Sequence, residues 1–199
     1  GRISIAGVRV SSWSVVGYSS ITVGNAHGIW LSGVTMSTVV RSTAQNSGTA
    51  FVRYPLYLQG SSRNVVTTSM FRNTVAGAAQ LDGATYNTLS FSTFTGTSNE
   101  TLWLYLGGWN TVTDSYITGP AAALLLQTSS DNTISRSTMS HVRVFASRNT
   151  ITRSFIYAPL FIESGTGNVL SLSTVSAPTG TGVAIWPQAS SNTISASYV

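Results

Sequence analysis

Cysteine and lysine are both absent from this sequence, and acidic residues number only five. Without cysteine there are no disulfides and no thiolate metal ligands, so a stapled mini-domain is excluded. The longest apolar run, Ala121 to Leu126, is far too short to span a bilayer, and no membrane span is expected in this segment. No start Met or signal-like segment opens the sequence, and Arg2-Ile3-Ser4-Ile5 already reads as strand. The 199 residues are therefore expected to form a single domain, 1–199, that is a segment of a longer repeat protein or a fibre protomer. Charged residues make up 8% against roughly 25% in ordinary globular proteins, so Ser, Thr, Asn and Gly must cover the surface. Such a surface suits regular β structure. All ten basic residues are arginine, for a net charge of +5. They are scattered, and several face acids once the repeat is aligned, so no nucleic-acid partner is expected.

What is present is a repeat. Asn87-Thr88-Leu89-Ser90, Asn110-Thr111-Val112-Thr113, Asn132-Thr133-Ile134-Ser135, Asn149-Thr150-Ile151-Thr152 and Asn192-Thr193-Ile194-Ser195 are copies of one motif. Asn64 and Asn168 begin weaker copies, and Ser14 and Ser37 fill the Asn slot in two earlier ones. Two residues after the slot stands an aliphatic in every copy. Five after it stands serine: Ser19, Ser42, Ser69, Ser92, Ser115, Ser137, Ser154, Ser173 and Ser197. Seven after it comes Ile21, Ala44, Phe71, Phe94, Ile117, Met139, Ile156, Val175 or Val199. Upstream lie aliphatic pairs such as Leu56 and Leu58, Leu102 and Leu104, and Leu124 and Leu126.

Alternation with period two marks short strands with one face inward. The five-residue step between the two inward aliphatics is too long for one strand, so a bend falls near the invariant serine. Stacked in successive coils, the slot asparagines and the serines can form ladders that satisfy buried polar groups. Slot spacings of 23, 27, 23, 23, 22, 17, 19 and 24 residues suit a solenoid whose length differences are absorbed at corners. The pattern predicts an all-β parallel β-helix of about nine coils, roughly 22 residues per coil and about 40 Å long.

The Asn-x-Ile-x-x-Ser-x-Ile pattern resembles the right-handed parallel β-helix repeat proteins, the pectate-lyase-like superfold, in which Asn often fills the second polar place. The resemblance spans about Ser14 to Val199. It implies the fold but chooses no function, because the family includes polysaccharide lyases, tailspikes, adhesins and long surface repeats.

The five acids are Asp82, Glu100, Asp114, Asp131 and Glu163. Asp82 and Glu163 share one repeat position but lie four coils apart, about 19 Å, too far for a glycosidase pair. Asp114 stacks on Arg136 and Asp131 on Arg148, which reads as surface ion pairing. Glu100 is expected on a solvated turn within the formal sequon Asn99-Glu100-Thr101. His27 and His141 fall in distant coils, so no metal pair and no cofactor are expected, and no nucleophile–base–acid set is identifiable.

The residue between each upstream aliphatic pair should point outward, giving a stripe of Trp30, Tyr57, Trp103, Leu125 and Phe161, interrupted by Gln80 and Arg143. The stripe has three readings: cover by loops, stacking on sugar rings, or packing against another rod. A second outward row holds Met70, Tyr116, Phe155 and Tyr198. Outward Thr88, Thr111, Thr133 and Thr150 resemble the Thr arrays of ice-binding solenoids. The expectation is a non-catalytic structural solenoid of a bacterial surface protein or extracellular fibre, self-associating end-to-end or laterally. The alternatives are a carbohydrate-binding or carbohydrate-processing β-helix, with polysaccharide as partner, and an ice-binding solenoid. The structural ladders are expected at Asn64, Asn87, Asn110, Asn132, Asn149, Asn168 and Asn192, and at Ser69, Ser92, Ser115, Ser137, Ser154, Ser173 and Ser197.

Overall fold

A computed structural model of the chain describes residues 6–48, 53–97, 100–178 and 180–199. The expected strand at Arg2–Ile5 and the sequon residue Asn99 lie outside the described residues. Among those described, every regular element is a strand, and all strand pairs are parallel neighbours from successive coils. Three sheets result. Sheet A runs from Ala6–Val10 to Val183–Ile185, sheet B from Val15–Gly17 to Thr193–Ser195, and sheet C from Ser20–Val23 to Thr174–Val175. Sheet B has nine strands, which bracket eight full turns. The right-handed parallel β-helix read from the repeat is the fold.

Each aliphatic ladder fills the interior at the expected register. Val39, Val66, Leu89, Val112 and Ile134 stack along sheet B, and Phe71, Phe94, Ile117 and Met139 along sheet C, all fully buried. Phe71 and Phe94 stack with ring centroids 5.3 Å apart. Burying each such side chain contributes about 1.5–3 kcal/mol. The terminal coils lack a neighbour on one side, so Ile194 and Val199 are exposed although their repeat positions face inward.

Both polar ladders are present. The backbone N–H and side-chain amide of each slot asparagine donate to the Oδ1 of the next, from Asn64 through Asn87, Asn110 and Asn132 to Asn149. The ladder continues through Asn168 to Asn192. The serines do the same with one bond each, as where the Ser92 N–H donates to Ser115 Oγ at 3.3 Å.

The bends themselves fall on the residue just before each ladder position, in left-handed backbone conformation. One column holds Trp13, Met36, Arg63, Tyr86, Trp109, Asp131 and Arg148, and the other Tyr18, Arg41, Thr68, Phe91, Asp114, Arg136, Arg153 and Leu172, with φ between +46° and +62°. Glycine and asparagine are the residues that suit this conformation. Here the asparagines are inside and large side chains stand on the corners.

Candidate functional site: a notch over sheet A

The outward row of sheet A is in register: Trp30, Tyr57, Gln80, Trp103, Leu125, Arg143 and Phe161 face one another across successive strands. It is less exposed than the alternation implies. Leu125 is buried, and the indole nitrogens of Trp30 and Trp103 are buried with no hydrogen-bond partner. Segments that enter sheet A account for some of this cover, since His27 stacks on Tyr57 at 4.4 Å and the His141 ring edges onto Phe161 at 5.1 Å.

The cover has a gap, and its origin is coil length. The connection from sheet C into sheet A spans 119–123 in one coil but only 140–141 in the next, and lengthens again to 157–159 and 176–182. The short connection belongs to the 17-residue repeat between Asn132 and Asn149. A notch of about 330 Å³ opens above it, lined by Glu100, Pro120–Ala122, His141, Arg143, Phe161, Glu163 and Trp186.

Glu163 reaches the notch through a register shift. Val144 pairs with Ile162, but Phe145 pairs with Ser164, so Glu163 is the extra residue of a bulge. Its expected equivalence with Asp82 is therefore wrong, because Ser164 occupies that position. The bulge aims the Glu163 carboxylate at Arg143, which donates from Nε to Oε1 at 2.5 Å and from Nη2 to Oε2 at 3.0 Å. Glu163 is only 6% exposed, whereas the Arg143 side chain keeps 37% of its surface in solvent. The glutamate thus holds the guanidinium in place and raises its pKa, and the guanidinium still faces the notch. Glu100, expected on a solvated turn, lines the same notch.

His141 contributes an Nε2 that is buried without a partner. Burial lowers its pKa, opposed by a backbone hydrogen bond at Ala121, so the imidazole is neutral around pH 7. A neutral imidazole, a held guanidinium, a carboxylate and the rings of Phe161 and Trp186 thus converge on one opening. Sequence reasoning missed this grouping because its members come from separate coils. The short 17-residue repeat was the available signal.

A second cluster lies over the early coils. His27 is stacked on Tyr57 and Tyr54 and accepts the Tyr54 backbone N–H at Nδ1, while Tyr57 donates its hydroxyl to Asp82 at 3.0 Å. Burial first, and Arg53 second, push the His27 pKa down to about 4. The unfolded chain takes up this proton near the ordinary histidine value of 6.5, so stability is complete above pH 6.5 and falls as the pH drops toward 4. The expected loss is roughly 2 kcal/mol after allowing for partial screening. Thermal melts across that range measure it, and a His27→Gln variant should show a flatter dependence.

The remaining acids behave as the repeat register requires. Asp114 pairs with Arg136 at 2.8 Å and Asp131 with Arg148 at 2.7 Å, which holds both carboxyls below the usual carboxylate range. On the outer face of sheet B the Thr column is in register. Its neighbouring hydroxyls are consumed in pairs, Ser90 to Thr67, Ser135 to Thr113 and Ser171 to Thr152, each at 3.0 Å. Large corner side chains stand on both sides of this face.

A family model described as "Periplasmic copper-binding protein (NosD)" matches residues 6–141. Among solved structures, an alginate lyase from Paenibacillus sp. str. FPU-7 superposes with a TM-score of 0.65 at 10% identity, covering 98% of this chain and 89% of that one. At that identity the likeness concerns the fold. No curated protein matches the sequence.

Proposed function

The chain belongs to the NosD family, and from that premise we propose that it is a bacterial glycan-binding β-helix working outside the cytoplasm, with the notch over sheet A as its sugar site. The location rests on the family's periplasmic description. The copper in that description is not carried over. There is no cysteine, and His27 and His141 enter sheet A five strands apart, about 24 Å. Met139 is in the core, Met36 and Met70 are exposed on a sheet B corner and on sheet C respectively, and no three His, Asp or Glu gather in ligating reach among the described residues.

The observation that carries the glycan reading is the joint lining of one notch by Phe161, Trp186, Arg143, His141 and Glu100. Aromatic faces stack on the C–H faces of sugars, and fixed polar groups read hydroxyls. Two carboxylates, one guanidinium and a neutral imidazole leave the lining at about −1. That balance favours a neutral sugar over a polyuronate. Binding rather than cleavage is supported by the commitment of both Glu163 oxygens to Arg143, which leaves Glu100 without a second free carboxylate in the notch and so without the carboxylate pair of a glycosidase. Packing of the sheet A stripe against another rod has less to recommend it, since that stripe is largely covered.

A glycan array followed by titration calorimetry tests the proposal. Retention of neutral oligosaccharides without product formation is expected, and Trp186→Ala should weaken it by about tenfold, the loss of one aromatic contact. A preference for polyuronates, or binding indifferent to Trp186, would overturn it.

A further inference from the structure

The left-handed corners of sheet B present an exposed apolar surface that the glycan reading leaves without a task. Trp13 and Tyr18 are each 75% exposed and Phe91 63%, with Tyr86 and Trp109 about half exposed. All five stand on left-handed backbone, where a large side chain is costly and asparagine or glycine is cheap. Backbone conformation and exposure to water both count against them, offset in part where Tyr86 stacks on Trp109 at 5.4 Å and Arg41 lies over Tyr18. They are grouped as well, in coils one to five along about 19 Å of the rod. Between the two rims, the floor of the early coils exposes Val15 and Val65.

Charge follows the same division. Over 13–18, 36–41, 63–68 and 86–91 this face carries Arg41 and Arg63 and no acid. Arg41 lies over the Tyr18 ring at 5.4 Å, so cation and aromatic form one exposed unit. Acids enter the corner columns only at Asp114 and Asp131, each already paired with an arginine. Sheet A and the connections leading into it, by contrast, have Asp82, Glu100 and Glu163 against Arg9, Arg53 and Arg143.

We propose that the first five coils of sheet B form a docking surface for an anionic lipid bilayer. Aromatic side chains beside arginines are what settles a protein at the headgroup level, where rings meet the acyl boundary and guanidinium groups meet phosphates. Exposed aliphatic side chains such as Val15 and Val65 gain from that boundary and would gain little from the hydroxyls of an acidic polysaccharide. A second copy of the chain placed against this face would oppose Arg41 and Arg63 to the same cations, since the one acid on this face in these five coils, Asp114, is already paired with Arg136. The notch lies on a different face, so both surfaces can be occupied at once.

Vesicle flotation with the full chain decides the matter. Binding is expected to equimolar phosphatidylethanolamine and phosphatidylglycerol vesicles, and to weaken with added salt. It should be far weaker to pure phosphatidylcholine. Removing both cations with Arg41→Asn and Arg63→Asn should lower affinity about 30-fold. A variant with Trp13→Asn, Tyr18→Asn, Tyr86→Asn, Phe91→Asn and Trp109→Asn should lose flotation while melting at the same temperature or higher, because asparagine suits these corners. The retained melting point separates loss of the surface from loss of the fold. Equal flotation with both vesicle types, or undiminished flotation of the five-site variant, would refute the proposal. So would retention by a soluble acidic polysaccharide, or dimer formation, in place of vesicle binding.

Discussion

Asn110→Ala is expected to destabilise the protein by about 3–5 kcal/mol, as read by urea denaturation. The asparagine sits mid-ladder and is fully buried. Its Oδ1 accepts both the backbone N–H and the side-chain amide of Asn87 at 3.0 Å. Its own Nδ2 donates to the Ala84 carbonyl at 2.9 Å and to Asn132 at 3.2 Å. Alanine therefore strands the Asn87 backbone N–H in an interior closed to water and removes three further bonds, although the Asn87 amide keeps the Ser61 and Thr85 carbonyls and the Ala84 carbonyl keeps the Gly108 N–H. Each stranded buried group costs about 1–3 kcal/mol, more than the net gain of making the bond. The same substitution at Asn192 should cost markedly less, because the last coil is half open to solvent. Equal losses at the two sites would mean that the ladder acts through corner geometry rather than through buried hydrogen bonds.

That contrast also bears on what the sequence could reveal. The ladders were legible because each repeats at a fixed offset from the slot. One wrong register would have broken every copy, so the agreement of nine serines and nine inward apolar residues specified the sheets. The corner columns were not legible. Left-handed backbone is normally announced by glycine or asparagine, whereas here Trp13, Tyr86 and Trp109 occupy it, and asparagine occupies the neighbouring buried position. The notch was hidden for another reason. Sequence alignment of the slots treats Glu163 as the partner of Asp82, and only the one-residue bulge against Val144 and Phe145 turns it onto Arg143. A bulge leaves no composition signal, and the cover over Trp103 and Leu125 depends on where neighbouring connections fold. Period-two patterning says which side of a strand a residue takes. It does not say whether a loop lies above it.

Removing Arg143 has the second-largest expected effect, and it reports on the site as well as on the fold. Arg143→Ala leaves the Glu163 carboxylate at 6% exposure with both oxygens unpaired. Breaking one side of a buried ion pair costs about 3–5 kcal/mol; the partial exposure of the arginine places the expectation near 3 kcal/mol. The double variant Arg143→Ala with Glu163→Leu removes the stranded charge and should recover most of that loss in the same melt. Glycan binding separates the two roles further. If Arg143 reads the sugar directly, the double variant regains stability and stays defective in calorimetry. Recovery of both would assign Arg143 to holding the bulge alone, and the sugar contact would then fall to Trp186, Phe161 and His141.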